Sequence, residues 1–268
     1  MKLKKSISYL HRLFDTIFIL CFCMLISACG SRIPAPQNFK AQAQIYHQKL
    51  NERAKAIKSI SGELSVELWE NNKRVSVRQL FAAQAPNRLR MDTLTPFEQP
   101  LATIIFNEQL LSVHDRENNR FIIGEASPKN FERLTKLRLK PREMSTLLNG
   151  QVPRIKKTGG KVSWDEIKGR AKLVLNNEEY QEIITFDEKD KTPRMVEFYQ
   201  ENKLLIRIFL ADYSKEEPKV PQRLKLKIPS SQVVVNTTLV DYTLNPKLPA
   251  RAFQITTPPG LEAQDFGD

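Results

Sequence analysis

Residues of the types that most often carry catalysis or bind metals are sparse in this sequence. After position 29 there are two histidines, His47 and His114, and neither has a second histidine or a cysteine near it at metal-ligand spacing. The acidic cluster at 187–191 alternates with lysines, which is typical of a solvated turn and not of a carboxylate pair for acid–base chemistry. The sequence therefore predicts no catalytic site, no metal site and no cofactor.

The first 28 residues read as an export signal. Lys2, Lys4, Lys5 and Arg12 form a positive amino-terminal region, and an apolar run follows from Ile17 to Ile26. About 11 uninterrupted apolar residues would span about 16 Å as a helix, roughly half of a hydrocarbon core. A cleaved leader is therefore favoured over a transmembrane helix.

Cys29 has the clearest chemical signature in the chain. The run Ile26-Ser27-Ala28-Cys29 resembles the lipobox of bacterial lipoproteins. The resemblance implies cleavage before Cys29, thioether lipidation of its sulfur and acylation of the new amino terminus, which together give a stable anchor. Gly30 at the next position implies sorting to the outer membrane, with the protein facing the periplasm.

The positions of the cysteines and the net charge narrow the class of protein further. Cys21 and Cys23 lie in the leader and Cys29 would carry lipid, so the mature chain lacks the thiols for a disulfide, a zinc site or a cysteine nucleophile. Hydrophobic residues at 41% and charged residues at 27% are typical of a globular domain. The net charge of +12 comes without any recognisable nucleic-acid-binding motif, so nucleic acid is not expected as a partner.

The spacing of apolar residues predicts an α+β fold that is mainly β. Residues 29–38 are expected to be a tether, 39–260 a single domain, and 261–268 a tail. Apolar residues from Phe39 to Ile57 recur every three or four positions, which predicts an amphipathic helix. From Leu64 onward an alternation of two predicts roughly a dozen strands, the first hairpin turning at Asn71-Asn72.

Two short helices are predicted to interrupt the strands. Ser127 can cap the first, with Pro128 at its first position, and Pro141 opens the second, which ends at Gly150. The late strands alternate apolar and basic residues, so the sheet has one apolar face that must be covered. Either the sheet curls into a half-barrel around an apolar cavity, or a fully packed core fills that space. The residues expected to line such a cavity are Leu64, Val66, Leu68, Leu89, Met91, Met144, Leu148, Ile206, Ile208, Leu224 and Leu226.

Three segments carry a resemblance to a known family. Residues 87–91 (Asn-Arg-Leu-Arg-Met), 94–99 (Leu-Thr-Pro-Phe-Glu-Gln) and 147–153 (Leu-Leu-Asn-Gly-Gln-Val-Pro) resemble the LolB family of outer-membrane lipoprotein receptors in order and spacing. The ending from 241 to 260 is similar to the wider superfamily of LolA/LolB-like lipoprotein carriers. The resemblance implies a curved antiparallel half-barrel with an amino-terminal helix, and short lid helices over a cavity for acyl chains.

The resemblance also implies a role for one loop. In the LolB family an exposed leucine on a loop helps to insert delivered lipoproteins into the membrane. The matching position is Phe97, which follows Pro96. A phenylalanine folded back on the barrel is the alternative for this position.

Two functions follow as expectations. The first is a lipid-anchored receptor, held in membrane lipid by acylated Cys29, that accepts acylated lipoproteins or lipids from a periplasmic LolA-like carrier. Lys136, Arg138, Lys140 and Arg142 would then attract anionic headgroups or an acidic partner, or form only a solvated face. The second is a structural or assembly lipoprotein with a filled core that binds an envelope protein and carries no lipid.

Overall fold

The computed structural model describes residues 32–39, 43–155 and 160–266. The helices are α1 (Ala43–Ala56), α2 (Pro128–Thr135) and α3 (Pro141–Leu148), with a short 3₁₀ helix at Ala250–Phe253. The strands are β1 (Ser59–Glu70), β2 (Lys73–Gln84), β3 (Arg88–Leu94), β4 (Pro100–Asn107), β5 (Leu110–Asp115), β6 (Arg120–Glu125), β7 (Lys161–Asp165), β8 (Arg170–Asn176), β9 (Tyr180–Phe186), β10 (Pro193–Gln200), β11 (Lys203–Tyr213), β12 (Pro221–Ile228), β13 (Val233–Leu244) and β14 (Ala263–Gln264). Among these described residues, no helix is both long and apolar enough to cross a membrane.

All these strands belong to one curved, open sheet, which confirms the predicted half-barrel class. The order is β14-β6-β5-β4-β3-β2-β1-β13-β12-β11-β10-β9-β8-β7. Consecutive strands pair through hairpins on each side, and β1 joins the two halves by pairing with β2 and β13. The pair β14–β6 is parallel, which the predicted antiparallel sheet did not include.

The central hairpin follows directly from its sequence. Asn71 and Asn72 have positive φ angles of 49° and 62°, as a two-residue turn of type I′ requires. The turn fixes the register of β1 and β2 along their whole length, from Glu70 opposite Lys73 to Ser59 opposite Gln84. The turn predicted at this position is therefore confirmed.

The sheet buries one face. Along β12, Leu224, Leu226 and Ile228 are buried, whereas the intervening Arg223, Lys225 and Lys227 are exposed. This is the predicted alternation of an apolar and a basic face, and the buried side chains extend into one continuous core across both halves of the sheet. The helices cover that core on the apolar side.

Helix α1 packs on the second half of the sheet. Tyr46, Leu50 and Ile57 are buried, as the predicted stripe requires. The Tyr46 ring lies 5.0 Å from the Phe186 ring of β9, and its hydroxyl donates a hydrogen bond of 2.7 Å to Glu188. The contact with the Phe186 ring and the hydrogen bond to Glu188 thus fix the helix on the sheet.

The segment expected to be a tail takes part in the fold. Residues 263–264 form β14 beside β6, and Phe266 is buried in the core. The Phe266 ring lies against Gly124, where an added Cβ would come within 2.8 Å of it. The described part of this segment therefore covers one edge of the sheet.

Candidate functional site

An open cleft of about 790 Å³ lies beside α2 and α3, which we call the lid helices. Helix α1 forms one wall, residues 151–155 form another, and the β8–β9 turn and the ends of β10 and β11 complete it. This volume is in the range of pockets that hold small molecules. The lining residues are Leu50, Ala54, Pro86, Pro128, Glu132, Arg138, Leu139, Lys140, Arg142, Glu143, Thr146, Gln151, Val152, Pro153, Arg154, Ile155, Asn177, Glu179, Tyr180, Phe198, Gln200 and Leu205. We call this space the lid cleft.

Local sequence fixes the ends of the lid helices. The Ser127 hydroxyl accepts a hydrogen bond of 3.2 Å from the Asn130 backbone N–H, with Pro128 in the first turn of α2. In α3 the Lys140 backbone N–H donates to the Glu143 carboxylate at 2.8 Å, which caps that helix. Gly150, with φ of 70°, follows the end of α3, as predicted.

The lid helices are held by apolar packing and by hydrogen bonds to the sheet. Phe131 of α2 is fully buried, and Met144 and Leu147 of α3 are buried as well. The Ser145 hydroxyl donates a 2.8 Å hydrogen bond to the Arg88 backbone carbonyl at the start of β3. Removing a buried aromatic ring such as Phe131 from water contributes about 2 kcal/mol.

Residues 147–153, one of the three segments of family resemblance, connect the lid to helix α1. Both the Asn149 and Gln151 side-chain amides donate to the Ile57 backbone carbonyl, the first at 3.0 Å. The Arg154 guanidinium donates to the Asn51 side chain at 2.9 Å. These bonds satisfy a carbonyl just beyond the end of α1 and fix the chain between the lid and the sheet.

The lid cleft combines apolar side chains with a charged mouth. Leu50, Leu139, Val152 and Phe198 supply apolar surface, and their neighbours on the lining carry the charges. Its cationic residues are Arg138, Lys140, Arg142 and Arg154, and its acidic residues are Glu132, Glu143 and Glu179. Three of the four basic residues singled out in the sequence therefore lie at one site, while Lys136 is at the end of α2.

A buried carboxyl lies beside this cleft. Glu182 of β9 is fully buried and directly opposite Phe198 in the sheet, so both side chains are on the same face. Its Oε2 accepts a 2.8 Å hydrogen bond from the Ile155 backbone N–H, while its Oε1 has no partner among the described residues. Burial, followed by the nearby Glu143 carboxylate, raises the pKa of Glu182 to about 8, and Arg154 opposes the rise.

We expect this carboxyl to make stability depend on pH. Burial raises the pKa of Glu182 from 4.5 to about 8, so its contribution is fully present below pH 4.5 and is lost as the pH rises through about 8. The wild type should therefore lose stability relative to Glu182→Gln across that window. Urea denaturation of both proteins at a series of pH values measures the difference, and a difference that does not change with pH would contradict this assignment.

The eleven residues predicted to line a cavity lie elsewhere. Nine of them are buried in the core, and Val66 and Leu68 are half-buried against it. None lines the lid cleft, since α3 packs over the concave face. Leu64, Leu148 and Leu224 surround a void of only about 10 Å³, close to the minimum for one water molecule. Their role as a lipid cavity stays a prediction.

Several residues at or beside the lid cleft were not predicted from the sequence. The apolar pattern from Ile183 to Phe186 predicts a strand that excludes Glu182, whereas β9 starts at Tyr180. Leu50 and Ala54 were predicted only as part of the stripe on α1. The position of Glu182 directly before the apolar pair Ile183-Ile184 is the one signal that could have marked it.

Phe97 stands at the tip of the β3–β4 turn with 86% of its surface exposed. The turn is closed by hydrogen bonds between the backbones of Thr95 and Gln99 at 2.8 Å and of Glu98 and Thr95 at 3.0 Å. The Glu98 carboxylate accepts a 3.2 Å hydrogen bond from the Arg78 guanidinium. Phe97 is therefore the outermost apolar group of the turn. This exposure is the condition that the predicted insertion loop requires, and insertion itself stays a prediction.

The remaining candidates have structural partners or lie outside the described residues. Asp187, Glu188 and Asp190 form ion pairs with Arg194, Lys191 and Lys219 respectively, so the cluster is the expected turn. In the described ranges no group of histidine, cysteine or carboxylate side chains could hold a metal ion. The leader and Cys29 lie outside those ranges.

Comparison with solved structures finds several proteins of similar fold. A LolA superfamily protein from Nitrosomonas europaea matches with a TM-score of 0.53 and 17% identity, over 78% of this chain and 97% of that one. A domain from Vibrio parahaemolyticus assigned as an outer membrane lipoprotein-sorting protein gives 0.57 and 12%, over 78% and 94%. A DUF1329 family protein from Desulfovibrio piger gives 0.58 and 7%, over 79% and 96%.

These likenesses confirm the predicted LolA/LolB-like fold. At such low identity they concern the fold alone. No protein-family model and no curated protein sequence matches the chain. Function is therefore argued from the geometry of the lid cleft.

Proposed function

We propose that this protein is a lipid-anchored receptor that takes an acylated lipoprotein or a lipid into the lid cleft and delivers it to the outer membrane. The observation that carries the proposal is the cleft itself, about 790 Å³ of open space beside two short helices. Such a space suits a molecule that must enter and leave without a covalent step. The fold similarity to an outer membrane lipoprotein-sorting domain supports the same class of cargo.

The lining of the lid cleft fits an amphiphile with an anionic headgroup. Leu139, Val152 and Phe198 offer apolar contact to acyl chains, and Arg142 can pair with phosphate or carboxylate at the mouth, whereas Arg138 is held by Glu132 at 2.9 Å. Each buried CH₂ contributes about 0.8 kcal/mol, so modest differences in chain burial set the direction of transfer. The cleft must hold the chains better than the donor does and less well than the bilayer.

The anchor and the donor complete the proposal. Acylation of Cys29 would hold the protein in membrane lipid at the periplasmic face of the outer membrane. The donor would be a soluble periplasmic carrier of the LolA type, which offers the acyl chains of its client. No nucleic acid takes part.

Phe97 is proposed to act at the release step. Replacing the exposed ring with glutamate should lower the delivery of an acylated lipoprotein from carrier to vesicles by about tenfold, because a charge resists entry into the bilayer interface. Leu110→Glu is the matched control, since Leu110 is 53% exposed at the β4–β5 turn and should deliver at the wild-type rate. Delivery is measured as client recovered with floated vesicles, and equal rates for Phe97→Glu and the wild type would contradict this role.

The packed core favours a second candidate, a structural or assembly lipoprotein that carries no lipid. Its support is the void of about 10 Å³ between Leu64, Leu148 and Leu224, where the predicted cavity would have been. This candidate predicts that the purified protein contains no lipid and binds no apolar probe. The lid cleft would then contact an envelope protein.

A further inference from the structure

The segment before α1 lies against the β7–β8 hairpin. The Ile33 backbone N–H donates to the Glu166 carbonyl at 2.7 Å, and the Trp164 indole N–H donates to the Ile33 carbonyl at 2.8 Å. Phe39 is buried, with its ring edge-on to Trp164 at 5.3 Å. Both ends of residues 32–39 are thus fixed to the hairpin, whereas the sequence predicted a tether at 29–38.

The turn of the hairpin accommodates this contact. Gly169 has φ of 59°, and an added Cβ there would come within 2.9 Å of the Ile33 side chain. Arg32 lies 3.6 Å from the Glu166 carboxylate, an exposed pair that adds little energy but neutralises one acidic group. The close approach of Ile33 therefore depends on the glycine.

Because residues 32–39 contact the β7–β8 hairpin, the distance between this hairpin and Cys29 is limited. Arg32 is three positions after Cys29, and an extended chain covers at most about 3.6 Å per residue, so the chain between them can span at most about 11 Å. Lipidation of Cys29, on which this inference rests through the proposed function, would place the hairpin at the bilayer surface.

The tip of the hairpin has the chemistry of a membrane contact. Ile167 is 83% exposed, and Lys168 and Arg170 beside it are exposed as well. The Asp165 carboxylate accepts the backbone N–H groups of Ile167 and Lys168 at 3.1 and 3.0 Å and pairs with Lys172 at 2.7 Å. The acidic groups near the tip are therefore paired, and an apolar side chain is presented next to two exposed cations that follow it in the chain, as interfacial segments present it.

We propose that the β7–β8 hairpin is a second membrane contact of the anchored protein. Ile167 enters the interface, Lys168 and Arg170 lie against anionic headgroups, and the docked segment 32–39 holds this edge of the sheet on the bilayer. Seven strands separate β8 from β3 in the sheet order, so this contact is independent of the Phe97 turn.

A single label on the lipidated protein tests the contact. Cys29 is blocked by lipid and is the only cysteine after the leader, so Ile167→Cys provides one site for an environment-sensitive NBD dye. Ser231→Cys, on the exposed β12–β13 turn, is the matched control. Both proteins are reconstituted in phosphatidylethanolamine vesicles with a minor fraction of phosphatidylglycerol, and quenching by spin-labelled lipid is measured.

We expect the dye at position 167 to be severalfold brighter in the vesicles than in detergent-free buffer and to be strongly quenched by the spin-labelled lipid. The dye at position 231 should show neither change. Ile33→Asp should release the docked segment and reduce quenching at 167 while the protein still floats with vesicles. Unquenched dye at 167 on protein that floats would overturn the hairpin contact and leave the anchor intact. Failure of the wild type to float would overturn lipidation of Cys29 and the hairpin contact with it.

Discussion

Gly62→Val is expected to unfold in urea well below the wild-type midpoint, with a loss of about 3 kcal/mol in the free energy of unfolding. Gly62 lies in β1, opposite Phe81 of β2 and Tyr242 of β13. A Cβ at this position would be 2.0 Å from the Asp241 carbonyl oxygen and 2.8 Å from the Tyr242 Cα. Both atoms belong to backbone, so the strand must move away to make room.

The consequence of that movement is large because β1 joins the two halves of the sheet. The register between β1 and β13 shifts by one residue next to Gly62, between Glu63 and Leu64, so the backbone is already bent there. A valine would separate β13 from β1 and expose the core to water. The glycine is therefore required by the close approach of two backbones.

Ser61→Val is the matched control for this prediction. Ser61 precedes Gly62 in β1, is half-buried and lies opposite Ala82 and Thr243, and a β-branched residue suits a strand. It should unfold near the wild-type midpoint. If Gly62→Val and Ser61→Val unfold at the same urea concentration, the backbone contact does not limit the residue at position 62.

Much of the fold could be predicted because its signals are local. The pair Asn71-Asn72 specifies a two-residue turn, Ser127 and Pro128 specify a helix start, and the alternation in β12 specifies which face is buried. Each of these depends on residues within a few positions of each other. Such signals define elements and faces, but not which strands become neighbours.

The pairing of β1 with β13 could not be predicted, because it joins residues far apart in the sequence. The pattern from Val162 to Ile167 predicts a strand, but β7 ends at Asp165, because its carboxylate accepts the N–H groups that follow and turns the chain. The contact of residues 32–39 with this hairpin depends on side chains more than a hundred positions away. No periodicity in the segment itself could indicate it.

The position of the candidate site was hard to predict for a related reason. Alternation indicates that Leu64 or Leu224 is buried, but a strand residue under a helix and one under an empty cavity have the same pattern. The lid cleft is lined by residues from the lid helices, α1 and hairpin turns, which meet only in the folded chain. Its existence therefore follows from packing and not from any one motif.

Blocking the lid cleft is expected to abolish most ligand binding. Ala54 on α1 lines the cleft, and Ala54→Trp would place a large ring in the space needed for an acyl chain. We expect the affinity for a fluorescent fatty acid to fall by about tenfold or more, since the displaced chain returns to water. Ala56→Trp, on the same helix but exposed and outside the cleft, should bind like the parent protein.

The most direct measurement of the central claim uses the soluble protein that lacks the leader and carries Cys29→Ala. The protein is extracted with organic solvent, the extract is examined for lipid by mass spectrometry, and the fluorescent fatty acid is titrated into the delipidated protein. Co-purified lipid or saturable binding that Ala54→Trp weakens and Ala56→Trp preserves is the predicted result. Lipid-free protein that binds no probe would contradict a lipid-carrying cleft and favour the structural lipoprotein.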